Sequence, residues 1–150
     1  MTGMDAKLSI LLQDKGSEVQ TVKPDDSVLD AVRRMNEVGI GSLLVMNGDE
    51  LVGIFTERDV LRRVVDSGLD PAATRVAKVM TRDLVTVGPA MTVGEAMAVV
   101  TQRRCRHLPV CEEGRLLGVV SSGDLTRWAT RHQATHIQDL VNYITGKYPA

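Results

Sequence analysis

The sequence predicts an α+β fold built from two β-α-β-β-α repeats. Moving residues forward by 65 positions places Gly53 on Gly118 and Asp59 on Asp124 without a gap, within a longer stretch of matching residues. Each copy also alternates apolar spacing typical of helices with spacing typical of strands. One copy of about 50 residues would bury too little surface to be stable alone. We therefore expect the copies to be related by a pseudo-twofold axis, with small sheets packed by helices.

The first helix of each copy is predicted by a capping residue followed by apolar residues at helical spacing. Ser27 is a suitable N-cap with Asp30 three residues later, and Thr92 with Glu95 matches a capping box. The apolar positions that follow are Val28, Ala31, Val32 and Met35 in the first copy and Val93, Ala96, Met97 and Val100 in the second. This spacing predicts an amphipathic helix in both copies.

A β-hairpin is predicted after each of these helices. In the first copy the strands are Ser42–Met46 and Glu50–Phe55, joined at the turn "NGDE". In the second copy they are His107–Cys111 and Arg115–Val120, joined at "EEGR". The hairpins supply the small sheets of the predicted fold.

A second helix is predicted to begin at Thr56 in the first copy and at Ser121 in the second. The expected apolar faces are Val60, Leu61, Val64 and Val65 in the first copy and Leu125, Trp128 and Ala129 in the second. We divide the chain into an N-terminal segment (1–18), a first repeat (19–68), a connecting segment (69–80), a second repeat (81–131) and a C-terminal helix (132–150). End helices are expected within 4–16 and 133–145.

Composition excludes several classes of protein. The 18 Lys and Arg nearly balance the 19 Asp and Glu, and aromatic residues make up only 3%, so we expect no nucleic-acid partner. The longest strongly apolar run is about the size of "SLLVM", far below the roughly 20 residues of a membrane helix. The N-terminus lacks the pattern of a signal peptide, so we expect a cytoplasmic protein without membrane attachment. The sequence contains no Gly-x-Ser-x-Gly, no His-Glu-x-x-His and no Walker lysine, and we expect no enzymatic activity.

The cysteines and histidines do not indicate a metal site or a disulfide. Cys105 and Cys111 lie six apart with no second pair, which favours two reduced and mostly buried thiols. His132 and His136 have a spacing that could hold a metal, but no acidic or cysteine partner is near in sequence, so we expect exposed histidines.

The repeated Ser/Thr-x-x-Asp motif, Thr56 to Asp59 and Ser121 to Asp124, allows two interpretations. A hydroxyl at the N-cap and an acid three residues later stabilise a helix start by about 1 kcal/mol. Capping boxes prefer the longer Glu or Gln, however, and both motifs directly follow a strand. A carboxylate in that place can accept two hydrogen bonds from a ribose cis-diol, and the amides of a helix start favour an anion. The motif therefore predicts a nucleoside site, with helix capping as the alternative.

The duplicated pattern resembles a pair of cystathionine β-synthase (CBS) domains, a Bateman module, from about Leu8 to Tyr143. The matching segments are "VKPDDSVLDAVRRM", "GSLLVMNGDELVGIFTERDVL", "VMTRDLVTV" and "RHLPVCEEGRLLGVVSSGDL". The resemblance implies binding of an adenine nucleotide such as AMP, ATP, NAD(H) or S-adenosylmethionine. It implies that Asp59 and Asp124 accept ribose hydroxyls while Thr56 and Ser121 support them.

The resemblance also implies which residues surround the adenine and the phosphates. The adenine would lie against the first hairpin strand of the opposite copy. The implied adenine-lining residues are Gln20, Ile40, Gly41, Ser42, Ile54, Thr81, Val85, Cys105 and Val119. The implied phosphate contacts are Arg58, Arg106 and His107. Because Arg58 corresponds to Gly123, and Arg106 and His107 correspond to Gly41 and Ser42, we expect two inequivalent sites.

Two functions follow from this interpretation of the sequence. The first is an energy or redox sensor, in which a bound adenine nucleotide changes the conformation that an unidentified partner protein recognises. The alternative is a structural module that dimerises through its helices and has no physiological nucleotide. The resemblance implies a homodimer in both cases.

Overall fold

The computed structural model describes residues 3–16 and 18–132 of the chain. The predicted helix at 133–145 and His136 lie outside the described residues. The helices are α1 (Leu8–Lys15), α2 (Val28–Val38), α3 (Glu57–Asp59), α4 (Val76–Val79), α5 (Val93–Arg103) and α6 (122–132), with a 3₁₀ turn at Gly3–Asp5 and a π-helix at Val60–Val65. The strands are β1 (Thr21–Val22), β2 (Ser42–Asn47), β3 (Glu50–Thr56), β4 (His107–Glu112) and β5 (Arg115–Ser121).

The described residues form two compact units. The first-repeat unit comprises residues 18–84, and the second-repeat unit comprises 3–16 together with 85–132. The N-terminal helix α1 thus belongs with the second repeat, and α4 belongs with the first. Each unit therefore completes its core with a helix that precedes the other repeat in sequence.

The first-repeat unit contains a three-stranded sheet in the order β1, β2, β3. β1 runs parallel to β2, with Thr21 opposite Leu44, and β2 runs antiparallel to β3. The buried core is formed by Val22, Val28, Ala31, Met35, Leu43, Val45, Phe55, Val64, Val76, Val79 and Met80. Residues from the sheet, α2 and α4 meet in this core, because each element presents one apolar side.

The second-repeat unit contains the antiparallel hairpin β4–β5, with Leu108 opposite Val120. The counterpart of β1 is reduced here to one parallel bridge between Val87 and Val110. The buried core is formed by Leu8, Leu11, Leu12, Val87, Val93, Ala96, Leu108, Val110, Val120, Leu125 and Trp128. The N-terminal helix α1 supplies three of these side chains.

The predicted hairpins and helix starts are confirmed. All four hairpin strands begin at the predicted residue and end one residue later than predicted. The Ser27 hydroxyl accepts a hydrogen bond from the Asp30 amide at 3.1 Å, and Thr92 with Glu95 forms the reciprocal capping box. Among the residues described, none of the helices has the length and apolar character needed to cross a membrane.

One predicted apolar face was confirmed at two of its four positions and wrong at the other two. Val64 is fully buried in the π-helix, but the side chains of Leu61 and Val65 are 65% and 64% exposed. Successive helical residues point roughly a quarter turn apart, so Leu61 and Val65 lie on a different side of the helix from Val60 and Val64. Only the latter side packs against the core of the first-repeat unit.

The repeated glycines Gly53 and Gly118 are explained by close packing. A Cβ atom at Gly53 would lie 2.7 Å from the Met80 sulfur and 3.0 Å from the carbonyl oxygen of Thr81. A Cβ atom at Gly118 would lie 2.9 Å from a methyl carbon of Leu12. Each glycine therefore lets the segment that precedes the other repeat approach a strand directly.

Candidate functional site

Both Ser/Thr-x-x-Asp motifs form complete capping boxes. In the first-repeat unit the Thr56 amide donates to Asp59 Oδ2 at 3.0 Å, and the Asp59 amide donates to Thr56 Oγ1 at 3.2 Å. In the second-repeat unit the Ser121 amide donates to Asp124 Oδ2 at 2.8 Å, and the Asp124 amide donates to Ser121 Oγ at 3.0 Å. Each motif therefore begins the helix that follows its strand.

The expectation that the shorter Asp weakens the capping interpretation was wrong. Thr56 has extended backbone angles, with φ −124° and ψ 164°, and its amide lies within reach of the shorter carboxylate. Capping accounts for one carboxylate oxygen, Oδ2, in each copy. The other oxygen, Oδ1, accepts from side chains that are not part of the cap, and these partners differ between the two units.

Asp59 is buried, with its side chain 6% exposed. Its Oδ1 accepts a hydrogen bond from the Thr81 hydroxyl at 3.0 Å. The Thr81 backbone is fixed in turn by two hydrogen bonds with Ile54, at 2.8 and 2.9 Å. The structure therefore brings Thr81, a predicted adenine-lining residue, to the carboxylate of Asp59 and joins it through the backbone to Ile54, another predicted adenine-lining residue.

Arg63 also reaches Asp59, from the π-helix. Its Nε lies 3.6 Å from Asp59 Oδ1, and its Nη1 donates to the Met80 carbonyl at 3.0 Å. The guanidinium thus links the carboxylate to the segment that carries Thr81. π-helical segments are rare and occur frequently at functional sites.

The carboxylate of Asp124 contacts two cationic side chains, Lys15 and Arg127. Lys15 Nζ lies 2.6 Å from Asp124 Oδ2 and donates to the Val119 carbonyl at 2.8 Å. Arg127 Nη2 donates to Asp124 Oδ1 at 2.6 Å. A Cβ atom at Gly123 would lie 3.3 Å from Arg127 Nη1, so the glycine leaves room for this guanidinium. The predicted difference between Arg58 and Gly123 therefore has a structural consequence.

The hydrogen bonds and the positive charge beside Asp124 lower the pKa of its carboxyl group. Burial by itself would raise the pKa of Asp124, but hydrogen bonds from Lys15 and Ser121, together with the Lys15 charge, outweigh it. The net result is a pKa below the usual range for aspartate. The carboxylate is therefore ionised at neutral pH and holds α1 to the start of α6.

The lowered pKa predicts a pH-dependent contribution to stability. The stabilisation from ionised Asp124 is present above the unfolded-state pKa of about 3.9 and is lost as pH falls through the lower folded-state pKa. We expect the wild-type protein to lose its stability advantage over Asp124→Asn as pH falls through this range. Urea unfolding at pH 7 and at several acid pH values measures the difference. The exposed Asp49→Asn variant is the control, and an advantage that stays constant with pH would contradict the expectation.

The remaining predicted site residues lie in both units. Four flank the capping residues: Gly41 O accepts from the Glu57 amide, Ser42 pairs with Thr56, Arg106 O accepts from the Ser122 amide, and His107 pairs with Ser121. Gln20 accepts a hydrogen bond from Arg34, and Arg58 is exposed on α3. Ile40 packs against the core of the first-repeat unit, and Val85 and Cys105 pack against the core of the second-repeat unit. The predicted pairing of residues from opposite repeats stays a prediction.

The cysteines and His132 show no sign of chemical activation. Burial raises the pKa of both Cys105 and Cys111, so these free and partly buried thiols stay protonated at neutral pH. His132 was predicted to be exposed, but it is partly buried and its ring stacks on Trp128 at 4.2 Å. Within the described part of the chain, no group of three or more His, Cys, Asp or Glu residues could hold a metal ion.

The sequence analysis missed the basic side chains beside the two aspartates: Lys15, Arg63 and Arg127. A signal for Lys15 was present, because moving it forward by 65 positions places it on Met80, the neighbour of Thr81. The arginines lie four residues after Asp59 and three residues after Asp124, which are contact distances on a helix.

The duplicated hairpin units and their capped aspartates define a class of protein. The family model described as CBS domain matches residues 16–66 and 76–131, so the chain belongs to the CBS-domain family. The chain is 39% identical over 129 residues to the CBS domain-containing protein CBSX3, mitochondrial, of Arabidopsis thaliana. That alignment covers 83% of this chain and 63% of the plant protein, so the chain spans less than two thirds of that relative.

Solved structures show the same fold. A crystal structure of the CBS domain NE2398 is 41% identical, with a TM-score of 0.80, and the match covers 83% of this chain and 98% of that one. A protein with CBS domains from Burkholderia ambifaria MC40-6, named as a candidate signal-transduction protein, is 42% identical with a TM-score of 0.78. That match covers 81% of this chain and 92% of the other.

Proposed function

We propose that the protein is a regulatory module that binds an adenine nucleotide and signals to a partner through a ligand-dependent conformation. The observation that carries this proposal is that each carboxylate makes more contacts than a helix cap needs. Oδ2 of Asp59 and Oδ2 of Asp124 complete a cap, and Oδ1 of each carboxylate accepts from side chains outside the cap. Oδ2 of Asp124 also accepts from Lys15. A cap alone requires only Oδ2 and its amide donor.

Ribose is a suitable ligand for such an oxygen. A carboxylate offers about four lone-pair positions, so Oδ1 can accept a ribose hydroxyl in place of, or beside, its present donor. Thr81 is a neutral donor to Asp59, and its hydroxyl can rotate to another acceptor. The adenosine part is shared by AMP, ATP, NAD(H) and S-adenosylmethionine, and the geometry of the carboxylates does not distinguish these four.

A regulatory role rather than catalysis is proposed because, within residues 3–16 and 18–132, no reactive group accompanies the carboxylates. The side chains around Asp59 and Asp124 are hydroxyls, arginines and a lysine that pair with the carboxylates themselves. A ligand changes the conformation only as far as its affinity differs between two states. The partner protein would recognise the state that the nucleotide favours, in line with the signal-transduction name of the Burkholderia relative.

Thermal unfolding tests the choice of ligand. The purified protein, stripped of carried-over ligand, is heated with AMP, ADP, ATP, NAD, NADH or S-adenosylmethionine. A ligand present at about a hundredfold excess over its Kd adds about 2.7 kcal/mol to the free energy of unfolding, which raises Tm by roughly 5–10 °C for a chain of this size. A shift with some of these ligands identifies the signal, and no shift with any of them would contradict the proposal.

Substitution of the aspartates tests the residues. We expect Asp59→Asn and Asp124→Asn each to weaken nucleotide binding at its own site by about tenfold or more, because a charged acceptor of ribose hydroxyls is lost. Glu95→Gln is the matched control, since Glu95 is also the acid of a capping box but lies at α5. Titration calorimetry measures binding, and urea unfolding measures the loss of cap strength. Equal binding by all three variants would contradict the proposed role.

The second candidate function is a structural module that self-associates without a nucleotide. Its support is the completeness of both capping boxes and the exposure of Leu61 and Val65, which correspond to Thr126 and Thr130 in the second repeat. We propose a homodimer, which sedimentation equilibrium would test. A relative from bloom-forming cyanobacteria, 30% identical with a TM-score of 0.72, is named as a hexameric CBS-CP12 protein. The structural candidate gains if assembly occurs and every adenine ligand fails to bind.

A further inference from the structure

Asp59 and Asp124 accept hydrogen bonds from different side chains at equivalent places in the two repeats: a threonine hydroxyl in the first and a lysine ammonium in the second. In the first-repeat unit, Thr81 donates its amide to the Ile54 carbonyl at 2.8 Å and its hydroxyl to Asp59 Oδ1 at 3.0 Å. Both of these donors are neutral. Ile54 and Asp59 correspond to Val119 and Asp124 after the shift of 65 positions.

In the second-repeat unit Lys15 contacts the equivalents of the two residues that Thr81 contacts in the first, although it bonds Oδ2 of the aspartate rather than Oδ1. Its ammonium donates to the Val119 carbonyl at 2.8 Å and to Asp124 Oδ2 at 2.6 Å. A single cation thus replaces two neutral donors. The equivalent places therefore differ by one positive charge.

A small cavity adjoins this ion pair. It measures about 230 Å³ and is lined by charged side chains that include Asp14, Lys15, Asp124, Arg127 and Arg131. Asp14 pairs with Arg131 at 2.7 Å, and Asp124 pairs with both Lys15 and Arg127. Among the described residues that line the cavity, three are cations and two are carboxylates, so this lining carries more positive than negative charge. The volume lies below the roughly 300–1,000 Å³ of pockets for whole drug-sized ligands and suits a single ligand group.

The charge at Lys15 affects nucleosides and nucleotides differently. A ribose hydroxyl that approaches Asp124 must compete with two charge-assisted hydrogen bonds, which are about twice as strong as neutral ones. An uncharged nucleoside offers the displaced ammonium no new partner. A phosphate group does, because lysine is a common phosphate ligand in proteins and Arg127 can pair with a phosphate through two N–H groups.

We propose that Lys15 is a specificity-determining residue that makes the Asp124 site select phosphorylated ligands over uncharged nucleosides. The Asp59 site has the neutral Thr81 in the equivalent place and therefore lacks the contribution of this lysine. The inference rests on the proposed nucleotide binding and adds to it the ligand charge that one site requires.

The test compares AMP with adenosine by titration calorimetry. The Asp59→Asn background weakens the first-repeat site while the amide oxygen retains a cap acceptor, so the measured binding reports the Asp124 site. Lys15→Met introduces the residue found at position 80, and we expect the ratio of AMP affinity to adenosine affinity to fall by about tenfold or more. Lys15→Gln, which keeps a neutral donor, should lower the ratio in the same direction. Lys7→Met, an exposed lysine just before α1, is the control and should leave the ratio unchanged.

The outcomes separate this inference from the proposed function. If both ligands bind and the ratio is unchanged in Lys15→Met and Lys15→Gln, Lys15 has no role in selection and the proposed function stands. If both variants bind AMP and adenosine more tightly by the same factor, Lys15 only obstructs the site, and the inference is overturned. If neither the wild-type protein nor the Asp59→Asn variant binds AMP, adenosine or any other adenine nucleotide, both proposals fail.

Discussion

Replacing Phe55 with alanine is expected to lower the free energy of unfolding by about 3–5 kcal/mol. Phe55 lies on β3 opposite Leu43 and is fully buried in the core of the first-repeat unit. Its removal takes a large apolar side chain from the core and leaves a cavity that the surrounding strands and helices fill only in part. Since domains are stable by only about 5–15 kcal/mol, this loss is a large fraction of the total.

Two controls make the Phe55 experiment specific. Phe55→Leu keeps most of the apolar volume and should be less destabilising, while Leu61→Ala removes an exposed side chain and should change stability by less than about 0.5 kcal/mol. Urea unfolding followed by circular dichroism gives all three values. A loss below about 1 kcal/mol for Phe55→Ala would show that Phe55 is not in the core that the structure describes.

Trp128→Ala is expected to cost a similar amount, about 3–5 kcal/mol, in the second-repeat unit. Trp128 is 8% exposed on α6, and its Nε1 donates to the Gly3 carbonyl at 3.0 Å. The Arg131 guanidinium lies 5.1 Å from the ring centre and the His132 ring stacks on it. The substitution removes apolar burial together with a hydrogen bond that fixes the N-terminal turn.

The Trp128→Phe variant separates the contribution of apolar packing to stability from that of the hydrogen bond to Gly3. Phenylalanine keeps an aromatic ring but cannot donate to Gly3, so a smaller loss is expected, with about 1 kcal/mol from the hydrogen bond. Circular dichroism must follow the unfolding, because Trp128 is the single tryptophan of the chain and its fluorescence is lost in both variants. Equal losses for the two variants would assign the whole effect to the hydrogen bond and contradict the packing role.

The candidate site was predicted only in part. The aspartates and their hydroxyl partners follow from a short motif, and both lie where a helix starts after a strand. Lys15 was missed because it lies 109 positions from Asp124 and no local pattern connects the two residues. Arg63 and Arg127 were missed although their spacing from Asp59 and Asp124 permits contact on a helix. The preference of capping boxes for a longer acid did not exclude capping, because the extended backbone of the N-cap residue Thr56 places its amide within hydrogen-bond distance of the Asp59 carboxylate.

The duplication, the hairpins, the helix starts and the two aspartate motifs can be predicted from the sequence alone. These features depend on residues within a few positions of one another, where spacing and capping chemistry decide the conformation. The packing of α1 with the second repeat and of α4 with the first, and the outward position of Leu61 and Val65, became known only from the folded structure. The same holds for the contact of Asp59 with a neutral hydroxyl and of Asp124 with a lysine. Such contacts join distant segments of the chain. They depend on the free energy of packing the whole unit and not on the conformational preferences of neighbouring residues.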